Sequence, residues 1–162
     1  MVTTVAFLIA RALWWEGPAY VIAIGVLLGQ LIVGWTNDLH DYADDLKHNR
    51  TSKPLVSGLI TTQQLRTAIF VVLPLAVIVN LFGPLGLKGG AVYLLGIAFG
   101  LAYNFYFKFT ALSPLPYVIA FAALPASIVI AVDKTPPLWM MLAGSLLGVA
   151  AHIANVLIHL EK

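Results

Sequence analysis

Asn37-Asp38-Leu39-His40-Asp41-Tyr42-Ala43-Asp44-Asp45 stands at the end of a long apolar run and holds four of the chain's seven acidic residues. Asp38, Asp41 and Asp45 fall at i, i+3 and i+7, and Asn37 lies four before Asp41. On a helix that spacing puts Asn37, Asp38, Asp41 and Asp45 on one face over about two turns, with His40 turned away. Like charges at this spacing repel, and beside apolar surface they also lose hydration. Two readings follow: a helix end whose acids are simply solvated, or a site where a cation removes the repulsion. Ionisable groups in an apolar bundle point to function first.

Working outward, Tyr20 to Thr36 is almost continuously apolar, so the acids extend a membrane-crossing helix to about Leu46. The chain is 60% hydrophobic and 10% charged, where a soluble domain carries about 25% charged residues. The expected fold is all-α: a polytopic transmembrane helical bundle of about five to six spans, each near the length a bilayer requires. Residues 1–162 read as a single domain. Residues 1–15 are short for a span and suit a cut-down or interfacial helix, with Trp14 and Trp15 at the membrane interface. Thr61-Thr62-Gln63-Gln64 opens a third helix that runs to about Phe82. Gly83 to Gly90 reads as a turn, and helices over 91–107, 117–132 and 138 almost to the end complete the chain. Met1 to Ala10 has no basic n-region, so no cleavable leader is expected. With no cysteine, disulfides, zinc–thiolate sites and thiol catalysis are excluded. Without a dense basic run, nucleic acid is not an expected partner. With alternating spans, Lys47, Arg50, Lys53, Arg66, Lys108 and Lys162 share one side, and Arg11, Lys88 and Lys134 the other. That excess places the acidic stretch on the cytoplasmic side of an inner or plasma membrane.

Oxygen ligands alone suit a hard ion such as Mg2+, bound through carboxylates and substrate phosphates, and Mn2+ can substitute. His40 reads as an interfacial histidine rather than a ligand. The basic loop that follows, with Lys47, Arg50 and Lys53, suits phosphate oxygens. Taken alone, that loop is equally a topology signal or a contact with anionic membrane lipids.

Asn37-Asp38-x-x-Asp41-x-x-x-Asp45 resembles the first signature of the UbiA superfamily of intramembrane prenyltransferases, of the 4-hydroxybenzoate polyprenyltransferase-like kind. Lys53-Pro54-Leu55-Val56-Ser57-Gly58 is similar to the segment that commonly follows it. Tyr103-Asn104-Phe105-Tyr106-Phe107-Lys108 looks like the family's tyrosine- and lysine-containing end of the fourth helix, with one residue more than Tyr-x-x-x-Lys, and from it Lys108 is carried over. The resemblance implies Mg2+-dependent transfer of a prenyl group from an isoprenyl diphosphate to a lipophilic or aromatic acceptor. It gives Asp38, Asp41 and Asp45 to the metal and to catalysis, and Asn37, Lys47, Arg50, Lys53 and Lys108 to the diphosphate. The family's second acidic motif has only a remnant here, with Asn155 in register with Asn37, His159 in register with Asp41, and Glu161 as a lone carboxylate. A C-terminally truncated chain, a degenerate non-catalytic relative that only binds prenyl diphosphate, or a chain completed by self-association all fit that remnant. A transport or cation-binding module is the alternative from another class. It would need ionisable residues in mid-membrane on several helices, and the later helices are nearly free of acids.

Overall fold

The computed structural model describes residues 1–160, with side chains through residue 157. Within these residues lie six α-helices: α1 (Val2–Leu13), α2 (Glu16–Lys47), α3 (Thr62–Phe82), α4 (Gly86–Ala102), α5 (Pro114–Ile130) and α6 (Leu138–Leu160). A π-helical turn, Tyr103–Phe107, prolongs α4. The all-helical bundle expected from composition is what forms. Four segments are long and apolar enough to cross a membrane: Glu16–Lys47, Thr62–Phe82, Gly86–Phe107 and Leu138–Leu157. Val2–Leu13 and Pro114–Ile130 are apolar but shorter.

The bundle is built on α2. Its 32 residues rise about 48 Å, while the hydrocarbon core of a bilayer is about 30 Å thick. The helix is therefore longer than the apolar layer is thick, and its acidic turns lie at its C-terminal end. Three side chains from neighbouring helices donate to its backbone carbonyls. Asn80 Nδ2 reaches Gly25 O at 3.2 Å, Tyr93 Oη reaches Val26 O at 3.0 Å, and Asn104 Nδ2 reaches Val33 O at 3.0 Å. Each bond satisfies a buried polar group where no water competes, so α3 and α4 are keyed to α2 in both height and rotation. Gly25 is required for this approach, because a Cβ there would stand 2.7 Å from Asn80 Oδ1. On another side α1 packs with Ala6 and Ala10 fully buried, and Phe7 sits 5.0 Å from the Tyr20 ring. α5 lies between α4 and α6 and touches α1. Gly144 and Gly148 let α6 sit directly on the backbone carbonyls of Phe121 and Tyr117.

Thr61 and Gln64 form a reciprocal capping box, so α3 starts where the polar run indicated. Three boundaries differ from the sequence reading. α4 begins at Gly86, not near Ala91, because the turn needs only the left-handed Gly86 (φ 63°). Gly89 and Gly90 lie inside the helix and serve close packing: a Cβ on Gly89 would come within 2.5 Å of Ser127 O, and one on Gly90 would meet Asn80 O. α5 begins at Pro114 rather than Tyr117, since proline is accepted in a first helical turn, and ends at Ile130 rather than Val132.

Candidate functional site

The chain leaves α2 through a Schellman motif. Asn49, at φ 51°, takes the left-handed position, which asparagine tolerates. Its N–H donates to Leu46 O at 3.1 Å, and the Arg50 N–H donates to Asp45 O at 3.0 Å. This reversal folds the basic loop back over the acids it has just left. Arg50 Nη1 lies 2.9 Å from Asp45 Oδ1. Lys53 Nζ lies 2.7 Å from Asp45 Oδ2 and 3.1 Å from Asp38 Oδ1. From across the bundle, Lys108 Nζ reaches Asp41 Oδ2 at 2.5 Å. Asp45 is fully buried and Asp41 nearly so. Asp45 Oδ2 is buried, with the Lys53 ammonium 2.7 Å away as its partner. Burial works against the charge on Lys53, but hydrogen bonds and attraction from Asp45 and Asp38 outweigh it and hold its pKa above the ordinary lysine value.

The structure thus gathers Asp38, Asp41, Asp45, Arg50, Lys53 and Lys108 at one end of the bundle. Asn37 is half-buried two turns before Asp45 on the same helix. Lys47 is exposed and makes no ion pair among the described residues. His40 is exposed, with its ring edge-on to Phe105 at 5.4 Å. Asn155 does not reach the acids; its Nδ2 donates to Tyr103 Oη at 3.2 Å. The His159 side chain and Glu161 lie outside the described residues.

Asp38 and Asp45 converge on a single cation, the Lys53 ammonium, which occupies the kind of position a metal ion would take. Two carboxylates completed by water and phosphate oxygens are a usual set for Mg2+. Asp41 is held instead by Lys108, and among the described residues no three acidic or histidine side chains gather at one point. The residues present therefore fit a two-carboxylate site better than a three-carboxylate one.

The π turn explains the extra residue between Tyr103 and Lys108. The Lys108 N–H donates to Tyr103 O at 3.0 Å, an i→i+5 bond. A π turn absorbs one more residue than an α turn, so Tyr103 and Lys108 still lie one above the other. Tyr103 and Asn104 on this turn are buried and line a cavity of about 240 Å³ between α2, α4 and α5. Gln30, Tyr93 and Tyr117 supply most of its other polar groups. A second cavity, of about 260 Å³ and almost wholly apolar, lies between α1, α5 and α6 and shares the walls formed by Val2, Phe121 and Leu124.

Several of these residues were not singled out by sequence pattern. Tyr103 stands edge-on to Tyr117 at 4.9 Å, and His152 lies 5.3 Å from the Tyr117 ring. His152 is buried, with Nε2 3.3 Å from Ser113 Oγ. The available signal was that His152 is the one titratable group among residues 138–157, and such groups in membrane helices seldom lack a partner.

A sequence profile of the UbiA prenyltransferase family matches residues 1–161. Searches of curated proteins and of solved structures returned no match. The chain belongs to the UbiA prenyltransferase family, whose members act in membranes as prenyltransferases and generally use a divalent metal ion. With its four long apolar segments it is an integral membrane protein.

Proposed function

We propose that this UbiA-family chain works as a single domain that transfers a prenyl group from an isoprenyl diphosphate to a lipophilic, aromatic acceptor. The acid end of α2 faces the cytoplasm in this reading, supported by the six-to-three division of Lys and Arg between the two sides. The observation that carries the proposal is the close set of Asp38, Asp41 and Asp45 with Arg50, Lys53 and Lys108 beside a largely apolar cavity. Acids for a metal and bases for phosphate, meeting where an apolar chain can lie, are the needs of a prenyl diphosphate.

Asp38 and Asp45 would hold Mg2+ or Mn2+, and Asp41 would hold the Lys108 ammonium beside them, ready for phosphate. A bound divalent ion supplies charge that stabilises a departing diphosphate. Arg50, Lys53 and Lys108, with Asn37 and Lys47 at the margin, bind the phosphate oxygens and neutralise the charge that grows on them. The allylic C–O bond breaks with its electron pair on the diphosphate. A carbon–carbon bond forms to the acceptor ring, which loses a proton in exchange. The cavity walls keep water from the cationic carbon.

The test is transfer by the purified chain in lipid nanodiscs, with radiolabelled geranyl diphosphate, a phenolic acceptor and Mg2+. Labelled product is expected from the native chain, with a loss of about 10²-fold or more in Asp41→Ala. Equal turnover in both proteins, or no Mg2+-dependent binding of the diphosphate by either, would overturn the reading.

A further inference from the structure

Lys53 stands between two chemistries. Its ammonium bridges Asp38 and Asp45, the pair best arranged for a divalent cation, yet a lysine in this loop is also suited to phosphate. It cannot serve both at once. A divalent ion seated between the two carboxylates would stand within a few ångströms of that ammonium, and like charges at such range repel strongly away from water.

We propose that Lys53 is a tethered counter-cation: it holds the Asp38–Asp45 pair closed until a divalent ion displaces it, and the released ammonium then binds diphosphate. The identity of the two ligands rests on the function proposed above; the pairing of Lys53 with both carboxylates does not. The local structure suits such an exchange. Arg50 keeps Asp45 in place through Oδ1 while Lys53 contacts the other oxygen, Oδ2. Leu55 is buried two residues on and anchors the loop, so the flexible lysine stem can move while the backbone stays. The exchange couples the ligands. Either ligand alone must break the ion pairs, and the second then meets partners already released, so each tightens the other by the same factor.

The test separates the two partners. Binding of Mn2+ alone, followed by electron paramagnetic resonance of the free ion, is compared in the native chain and in Lys53→Met. Binding of inorganic pyrophosphate alone, in chelator, is compared in the native chain and in Asp38→Asn. Lys53→Met removes the competitor of Mn2+ and is expected to bind it about tenfold tighter, within the usual range of coupling between sites; Asp38→Asn removes one of the two carboxylates that hold Lys53 and is expected to bind pyrophosphate tighter by a smaller factor. Arg66→Gln, an exposed cation at the start of α3, controls for net charge and is expected to change Mn2+ affinity less than twofold. Thermal melts guard against misfolding: Mn2+ is expected to raise the midpoint of Lys53→Met more than that of the native chain. Mn2+ affinity in Lys53→Met that is unchanged, weaker, or no greater than in Arg66→Gln overturns the exchange. If Asp45→Asn also leaves Mn2+ binding intact, it is the functional site itself that is misassigned.

Discussion

The two ends of this bundle are closed by different means. At the acid end, three carboxylates of α2 are met by three cations from two other segments, and Asp45 is fully buried. At the opposite end the charges are sparse and wet. Lys88 pairs with Asp133 at 3.0 Å, with side chains 78% and 81% exposed. There the closure is done by glycine: Gly89 and Gly90 bring α4 against the backbones of α5 and α3. A glycine contact is permanent, since nothing exchanges with a carbonyl oxygen packed on a Cα. A set of buried ion pairs can be exchanged for other ions. The end built from charge is the one able to admit a charged ligand, and it carries that ability as latent instability.

The largest test of this contrast compares the two acids. In Asp45→Ala, Arg50 and Lys53 each lose a buried carboxylate, and breaking a buried pair from one side costs about 3–5 kcal/mol. A fall of that order in unfolding free energy in detergent is expected, together with loss of prenyl transfer. Asp133→Ala, in the same assay, should cost no more than about 1 kcal/mol, as for exposed pairs generally, and leave transfer intact. Similar losses for the two would erase the distinction between the ends.

Lys108→Met is next. It leaves Asp41 buried without its cation, and about 2 kcal/mol of stability is expected to go, in the range for hydrogen bonds to charged groups. Diphosphate affinity should fall as well. Lys108→Arg should recover part of both, because the arginine fork can still reach a carboxylate. A Lys108→Met chain as stable as the native one would mean that Asp41 is hydrated rather than held by its partner.

The acid end was legible in the sequence because its signal is local. Asn37, Asp38, Asp41 and Asp45 lie within nine residues, and helical spacing alone sets them on one face. The same holds for the Thr61–Gln64 cap. What escaped is what depends on distant partners. Gly89 and Gly90 look like turn residues until α3 and α5 are seen packed on them. The spacing from Tyr103 to Lys108 looks one residue too long until the π turn takes up the excess. His152 and Ser113 are 39 residues apart in the chain, one on α6 and the other in the turn before α5, and no periodicity announces that they meet. That Lys53 is shared by Asp38 and Asp45 is likewise a property of the reversal at Asn49, not of the basic loop's composition.

The glycine-closed end can be broken in turn. Gly90→Ala forces a methyl group into the Asn80 carbonyl and should cost about 1–3 kcal/mol, as overpacking does. Gly34, three residues before Asn37, has nothing within 4 Å of where a Cβ would stand. Gly34→Ala should therefore stabilise α2 slightly, by up to about 1 kcal/mol, from helix propensity alone. Thermal melts of the two variants are expected to move in opposite directions. Mn2+ affinity should change in neither, since neither touches the ion pairs. A Gly90→Ala chain that melts normally would show that the backbones there have room to spare.

The smallest expected effect concerns pH, and it decides which force governs Lys53. Burial alone would lower its pKa; Asp45 and Asp38 raise it above the free value of 10.5. A base whose folded pKa is raised contributes stability in full below its unfolded pKa, and loses it as pH climbs through the folded value. The difference in melting midpoint between the native chain and Lys53→Met should therefore stay flat from neutral pH to about 10 and shrink only above 10.5. A difference that narrows between pH 8 and 10 would mean that desolvation outweighs the carboxylates. Lys53 would then give up a proton as readily as its place, and the closure of the acid end would depend on Arg50 and Lys108 alone.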